Sequence, residues 1–171
     1  MKTMYKTICM LFVAAAVLAG CSKDDDGGSG GTAASGTVEA KVDGSNFTSL
    51  EMTSAASESN VGGASTITLQ GSSTSGNAIS IIINGYDGTG TYEFSDSNVF
   101  VNATYLEVDI DNPMNSQTWS APYEDSGVVG EVQISEKTDT SIKGTFHFTA
   151  KNSSDNSLKE ITEGSFNLDF L

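Results

Sequence analysis

Apolar and polar residues alternate with a period of two along most of the chain, from about residue 38 to the last residue. Such alternation is typical of β-strands with one buried face and one solvated face. No stretch shows a helical period of useful length. The clearest predicted strands carry these apolar side chains: Ile67 and Leu69; Ile79, Ile81 and Ile83; Tyr92 and Phe94; Val128, Val132 and Ile134; Phe146, Phe148 and Ala150; and Phe166, Leu168 and Phe170.

Short turn signals separate these strands, and each contains Gly, Asn or Asp, which favour tight turns. They are Asp43-Gly44, Gly62-Gly63, Ser75-Gly76-Asn77, Asp87-Gly88, Asn112-Pro113 and Ser126-Gly127. Because half-buried strands joined by short turns become antiparallel neighbours, we predict an all-β fold: an antiparallel two-layer β-sandwich or a flattened meander barrel. Residues 50–64, rich in Ser, Ala and Gly, predict a weak strand and a loop.

A phrase of glycine, hydroxyl residue and aromatic residue occurs three times, at Gly90-Thr91-Tyr92, Gly144-Thr145-Phe146 and Gly164-Ser165-Phe166. The copies are unevenly spaced, which excludes a solenoid repeat. We interpret the phrase as a strand entry, in which glycine frees the backbone at a turn before two large side chains enter the core. The third copy ends the chain, so we expect the last strand to be buried within the sheet.

The first 20 residues have the organisation of an export signal. Lys2 and Lys6 precede an apolar run from Ile8 to Leu18, which is shorter than the roughly 20 residues needed to span a bilayer. Small residues then lead to Cys21. This pattern predicts a lipoprotein signal peptide over residues 1–20, with Cys21 as the acylated first residue of the mature protein and chains such as palmitate holding it to a membrane. In the alternative, the signal is cut elsewhere or kept as an anchor.

Residues 21–36 contain Ser, Lys, Asp, Gly, Thr and Ala and no large apolar side chain, so we expect a flexible acidic Gly/Ser tether. The single folded domain is then predicted over residues 37–171. Cys9 lies inside the signal and is lost on cleavage, so no disulfide is expected in the mature chain.

The chain is strongly acidic and contains no arginine. Without Lys2 and Lys6, six of its eight Lys remain against 22 Asp plus Glu, a net charge of −16. This charge excludes nucleic acid as a partner and disfavours anionic lipid headgroups. A solvated acidic coat explains most of it, and a cationic or calcium-bridged partner is the alternative.

Few residues offer catalytic or metal chemistry. Apart from Cys21, the predicted mature chain has no thiol. General-base catalysis by histidine would depend on His147 alone, which we expect to be a surface residue. We predict no catalytic residue, no cofactor and no metal ligand. Calcium is retained as a weak alternative, because Asp109, Asp111 and Asn112, and likewise Asp96-Ser97-Asn98, place oxygen ligands on turns. A glycosidase with paired carboxylates is the other alternative.

Trp119 and Tyr123 are the candidate ligand contacts. Trp119 is the single tryptophan, and both rings lie in a polar segment beside Pro122. If they face outward, they stack on a sugar ring or anchor a protein partner. In the alternative, both rings close one end of the fold as part of the core.

Five residues follow Cys21 directly: Ser22, Lys23, Asp24, Asp25 and Asp26. This segment resembles the export signal of the lipoproteins of Bacteroidota. In that group, acidic residues soon after the lipidated Cys direct lipoproteins to the outer leaflet of the outer membrane. The resemblance implies a lipid-anchored protein of the outer membrane that faces the cell surface, with the inner leaflet as the alternative.

The domain itself is similar to an uncharacterised family of such lipoproteins. The resemblance is carried by Val42-Asp43-Gly44 followed by Phe47, Gly90 to Tyr92, Gly144 to Ala150, and Ile161 to Phe166. No catalytic motif comes with the family.

Together these features predict a surface-exposed, non-enzymatic module that binds a glycan or a protein partner, or acts as an accessory subunit at the outer membrane. The alternatives are a small carboxylate- or calcium-dependent hydrolase and a purely structural coat protein.

Overall fold

The computed structural model describes residues 32–171, which form eleven β-strands and two single 3-10 turns. The predicted signal peptide, Cys21 and the export signal Ser22 to Asp26 lie outside the described residues. The strands are β1 Thr37–Val42, β2 Ser45–Thr48, β3 Ala55–Val61, β4 Ala64–Ser72, β5 Ala78–Asn84, β6 Gly90–Ser95, β7 Val101–Glu107, β8 Gln117–Ala121, β9 Val128–Lys137, β10 Ser141–Lys151 and β11 Leu158–Asp169. The 3-10 turns are Glu51–Thr53 and Pro113–Asn115.

All eleven strands belong to one curled antiparallel sheet, in the order β2-β1-β11-β10-β8-β7-β5-β4-β3. Strand β9 pairs with the first part of β10, and β6 lies outside β9. The sheet curls until β3 meets the end of the chain, where Ala56 forms a bridge with Phe170. The all-β antiparallel prediction is therefore confirmed, and the architecture is one curled sheet with a sandwich-like interior.

The concave face of the sheet holds the core. Phe94, Phe148 and Phe166 are each at most 1% exposed, and the Phe94 and Phe148 rings meet edge to face with centroids 5.5 Å apart. The predicted apolar positions of β4, β5, β10 and β11 all contribute to this core, apart from Phe170, which is partly buried at its edge. The period-two pattern identified the buried face because successive side chains on a strand point to opposite sides of the sheet.

One predicted core residue, Val128, is 59% exposed. Phe94 of β6 pairs with Gly130, but the next residue, Ser95, pairs with Val128. Val129 is therefore an extra residue on β9, and this β-bulge shifts the alternation by one position. Val129 packs against the core in place of Val128.

The predicted tight turns are confirmed where backbone geometry tests them. In the hairpin between β1 and β2, Asp43 and Gly44 have φ angles of 48° and 78°. Both residues are thus left-handed, as a two-residue turn compatible with the sheet twist requires. Residues 50–64 contain the turn Glu51–Thr53 and the edge strand β3, which agrees with the predicted weak strand.

The glycine phrase is a strand entry only in its first copy, where Gly90 begins β6. Gly144 and Gly164 lie inside β10 and β11, opposite Phe166 and Phe146. A Cβ on Gly144 would lie 2.5 Å from the Phe166 ring, and a Cβ on Gly164 would lie 2.6 Å from the Phe146 ring. The strand-entry prediction is wrong for these two copies, because each glycine makes room for an aromatic ring on the neighbouring strand.

The chain enters the sheet at one end and forms four connections at the other. Gly36 donates a backbone hydrogen bond to Asn167 next to the start of β1, and Ala33 is buried. The last residues of the predicted tether are therefore packed on the domain. At the opposite end lie the four connections 43–44, 73–77, 108–116 and 152–157, and we call this the distal end. Among the described residues, no helix is long and apolar enough to cross a bilayer.

Candidate functional site

A polar groove of about 510 Å³ opens at the distal end of the sheet. It lies between β1 and β2 on one side and the β4–β5 turn and β7 on the other. Hydroxyl and amide side chains supply much of its lining: Ser45, Asn46, Thr48, Ser73, Thr74 and Asn77. The mouth of a curled sheet is a common place for a ligand site, because strand ends leave the interior open there. We call this the distal groove.

Lys159 stands at the centre of the distal groove. It lies on β11 two residues before the buried Ile161, so the alternation directs its side chain to the core face of the sheet. Its ammonium group bonds to Asp43 Oδ2 at 3.2 Å and to Glu107 Oε2 at 3.1 Å. Lys159 thereby connects β11, the β1–β2 turn and the end of β7.

Two opposing effects set the pKa of Lys159. Burial lowers it, because a charged ammonium loses hydration in the groove. Hydrogen bonds and charge from Glu107 and Asp43 act in the opposite direction, and together they outweigh burial and raise the pKa above its ordinary value. The lysine is therefore held in its charged form.

Trp119 forms the wall behind this lysine. The residue lies on β8 and is 4% exposed, with the Lys159 ammonium 5.0 Å from its ring centroid. Its Nε1 donates a hydrogen bond to Ser157 Oγ at 3.0 Å. The ring is thus part of the core, as in the alternative for this residue, and it does not present a face for stacking on a sugar.

Tyr105 forms the base of the groove beside Trp119, with ring centroids 5.9 Å apart. The Asn77 amide donates to the Tyr105 hydroxyl at 3.2 Å and accepts from the Val108 N–H at 2.9 Å. Burial raises the pKa of Tyr105, and the nearby Glu107 carboxylate acts in the same direction. The phenol therefore stays neutral and keeps a hydroxyl that both donates and accepts.

Tyr123 lies apart from the distal groove. It is half-buried in the connection between β8 and β9, with the Lys151 ammonium 5.6 Å from its ring centroid. The two candidate ligand contacts are therefore associated with different lysines and different surroundings. A ligand contact at Tyr123 stays a prediction.

A second cleft, of about 550 Å³, adjoins the distal groove at Glu107 and contains one of the calcium candidates. The Asp109 carboxylate there accepts backbone hydrogen bonds from Asp111 at 3.1 Å and Asn112 at 2.9 Å. It thus stabilises its own turn. Within residues 32–171, no group of three or more His, Cys, Asp or Glu side chains is arranged to hold a metal ion.

His147 lies on the convex face of β10 and is exposed, between Thr145 and Thr149 on the same face. It pairs across the sheet with Glu131 of β9. This agrees with its prediction as a surface residue. Glu131, His147 and Glu163 line a shallow depression of about 370 Å³, remote from the distal end.

Sequence reasoning recognised Asp43 and Asn77 only as turn residues and did not select the other central residues of the groove, namely Tyr105, Glu107 and Lys159. The five residues come from four separate segments, since Tyr105 and Glu107 both lie on β7, and only folding brings them together. A usable signal was present at Lys159, because the alternation of β11 places this charged residue on the apolar face.

The fold and this site define a class of protein: an all-β domain built from one curled sheet, with a polar groove centred on a paired lysine at its distal end. The chain belongs to the family described as Domain of unknown function (DUF6252), whose model matches residues 34–168. No curated protein and no solved structure matches the chain.

Proposed function

We propose that this protein is a lipid-anchored, non-enzymatic binding module of the outer membrane surface that holds a glycan in its distal groove. Cys21 carries the acyl chains in this proposal, and the acidic residues after it direct the protein to the outer leaflet.

The observation that carries the glycan proposal is the chemistry of the groove. Lys159, Glu107 and Tyr105 line the groove and place an ammonium, a carboxylate and a hydroxyl there. The Asp43 carboxylate lies beside the groove, bound to Lys159. A sugar ring presents several hydroxyl groups that each donate and accept, so it matches a dense mixed set of this kind. Tyr105 lines the groove, and the Trp119 ring packs against both Tyr105 and the Lys159 ammonium.

The position of the groove supports a role at a surface. β1 begins at the end of the sheet opposite the distal end, and the predicted tether precedes β1. A domain held through that tether presents the distal groove away from the membrane. Replacement of Cys21 by Ser tests the anchor, because the variant is expected to lose both lipoprotein processing and membrane retention. Normal processing and retention of that variant would contradict the anchor.

The hydrolase alternative requires two carboxylates with distinct protonation, one of them desolvated. One carboxylate, Glu107, lines the groove and a second, Asp43, lies beside it, but they are 46% and 47% exposed and both bind Lys159. This arrangement favours binding over hydrolysis. Release of reducing ends from a bound polysaccharide would favour the hydrolase.

The direct test is binding of soluble residues 32–171 to an array of polysaccharides, with and without calcium. Thr48 is exposed and lines the groove, so Thr48→Trp places a bulky ring in the opening. Thr91, an exposed β-strand residue of β6, gives the matched control Thr91→Trp. We expect Thr48→Trp to abolish binding and Thr91→Trp to keep it. Absence of binding by the wild type to every polysaccharide would overturn the glycan proposal.

A protein partner is the second candidate, and one observation favours it. Ile110 and Met114 are 74% and 95% exposed on the β7–β8 connection, which also lines the adjoining cleft. Exposed apolar side chains beside a groove are typical of protein-binding surfaces. Crosslinking from this connection on intact cells, compared with an Ile110→Ser, Met114→Ser variant, distinguishes the two candidates.

A further inference from the structure

We infer that the distal groove selects neutral glycans and rejects acidic ones such as uronic acid polymers. This inference rests on the proposed glycan-binding function and concerns the charge of the ligand. It follows from the way in which the charges of the groove are paired.

The positive charge of Lys159 is fully matched by its own neighbours. Asp43 and Glu107 both lie within 3.2 Å of the ammonium group, so one cation faces two anions. The groove together with the Asp43 carboxylate beside it therefore has an excess negative charge. A ligand carboxylate that approached Lys159 would also approach these two carboxylates, and their repulsion would oppose binding.

Among the described residues, no cation other than Lys159 lines the groove to receive an acidic ligand. The chain has no arginine, which is the usual bidentate partner of a carboxylate or sulfate. Three other lysines in the described part of the chain form their own ion pairs: Lys41 with Glu163, Lys137 with Glu58, and Lys143 with Glu136. The adjoining cleft adds the Asp109 carboxylate and extends the negative field along the distal end.

Neutral sugars meet no such barrier. Their hydroxyl groups donate to Asp43 and Glu107 and accept from Asn46 or from the hydroxyl groups of the β4–β5 turn. Hydroxyl donation to a carboxylate is a charge-assisted hydrogen bond, which is stronger than one between neutral groups. The excess negative charge that repels an acidic sugar thus favours a neutral one.

The test compares each neutral polymer with its own acidic derivative. Mannan, laminarin and galactan are used as the probes, each beside the same polymer oxidised at its primary hydroxyl groups to the uronate. For any polymer that binds, we expect the oxidised form to bind about tenfold or more weakly. This difference should shrink at high salt, because ions screen the repulsion.

Glu107→Gln removes one negative charge with little change of shape, so we expect it to reduce the discrimination against the oxidised polymers. Asp139→Asn, in the β9–β10 turn away from the distal end, is the matched control and should leave the discrimination unchanged.

Equal or tighter binding of the oxidised polymers by the wild type would overturn the charge selectivity and leave glycan binding in place. Unchanged discrimination in Glu107→Gln would show that the carboxylate is not its source and would also overturn the inference. If the wild type bound neither the neutral nor the oxidised polymers, this result would overturn the proposed function and the selectivity with it.

Discussion

Lys159 joins three parts of the chain that are distant in sequence. Its side chain reaches Asp43 in the first hairpin and Glu107 at the end of β7, and its ammonium lies against Trp119. A buried methylene stem with a paired charge at its tip is a common way for lysine to close the end of a core. Lys159 therefore serves both the stability of the distal end and the charge of the groove.

Replacement of Lys159 by Met keeps most of the packing and removes the charge. We expect a loss of about 1 kcal/mol in the free energy of unfolding, a modest value because both carboxylates are half-exposed. Urea denaturation at neutral pH measures it. Asp169→Asn, a change of one exposed charge at the other end of β11, is the control and should have little effect. A Lys159→Met variant as stable as the wild type would contradict this role.

Because of Lys159, we expect the stability of the domain to depend on pH in the alkaline range. The folded pKa of Lys159 is raised above the ordinary value of 10.5, so its stabilising contribution is complete below that pH. The contribution is lost as pH rises through the raised folded pKa. We expect the stability difference between wild type and Lys159→Met to shrink in this range. Tyrosines remote from Lys159 titrate in both proteins and cancel in the difference, whereas Lys159 acts to lower the pKa of Tyr105, so Tyr105 contributes to the difference. A constant difference up to pH 12 would refute the prediction.

At the scale of elements, the pair β10 and β11 is the most closely fitted part of the sheet. Gly144 lies opposite Phe166, and Gly164 lies opposite Phe146. The two Phe rings therefore cross to the neighbouring strand in opposite directions, with centroids 6.4 Å apart. Each ring covers a glycine that would otherwise leave a gap in the core.

Gly144→Ala and Gly164→Ala should each destabilise the domain by about 3 kcal/mol, because the added methyl group collides with a Phe ring and with a backbone carbonyl. Gly127→Ala is the control. It adds a methyl group in open space at a φ of 63°, and we expect it to cost about 1 kcal/mol. Thermal and urea unfolding provide the measurement, and equal costs at all three positions would contradict the packing argument.

Strand β11 lies between β1 and β10 in the sheet and has a partner on each side. Deletion of residues 164–171 would expose both neighbours and remove Phe166 and Leu168 from the core. We expect this deletion to abolish the cooperative unfolding transition. Removal of Leu171 alone, which is 94% exposed, should keep that transition. A folded protein after the larger deletion would show that β11 is dispensable.

The curled sheet closes where β3 meets the end of β9 and the last residues of the sequence. The Lys137 ammonium bonds to Glu58 Oε2 at 2.9 Å and lies 5.1 Å from the Phe170 ring centroid. The backbone N–H of Leu171 donates to the Ala56 carbonyl at 3.1 Å. These contacts keep the curled sheet closed against β3, whose outer edge has no full strand partner among the described residues.

This closure should be sensitive to acid. The hydrogen bond from Lys137, together with one from Ser65, lowers the pKa of Glu58 below its ordinary value of 4.5. Its contribution to stability is therefore present above pH 4.5 and is lost as pH falls through the lowered folded pKa. In Lys137→Met we expect a smaller loss of stability between neutral pH and pH 3. Lys143→Met, which removes another paired lysine, is the control. Parallel acid profiles for wild type and Lys137→Met would contradict the prediction.

The sequence alone predicts the fold class, the buried positions and most turns. These properties depend on local alternation and on the conformational freedom of residues such as Gly44, so they can be read from short segments. The predicted burial of Val128 was wrong, because the bulge beside it depends on the pairing of β9 with β6. The strand-entry prediction was wrong for Gly144 and Gly164, because each glycine accommodates a Phe ring from a neighbouring strand.

The position of the groove and the residues that meet there could not be predicted from local sequence patterns. Asp43, Glu107 and Lys159 are far apart along the chain, and their contact depends on strand order and on the curl of the sheet. The burial of Trp119 is another tertiary property. Its neighbours in sequence are polar, whereas Lys159 and Ser157, which cover it, are distant along the chain. Local patterns specify strands, whereas a site assembled from separate segments exists only after those strands have paired.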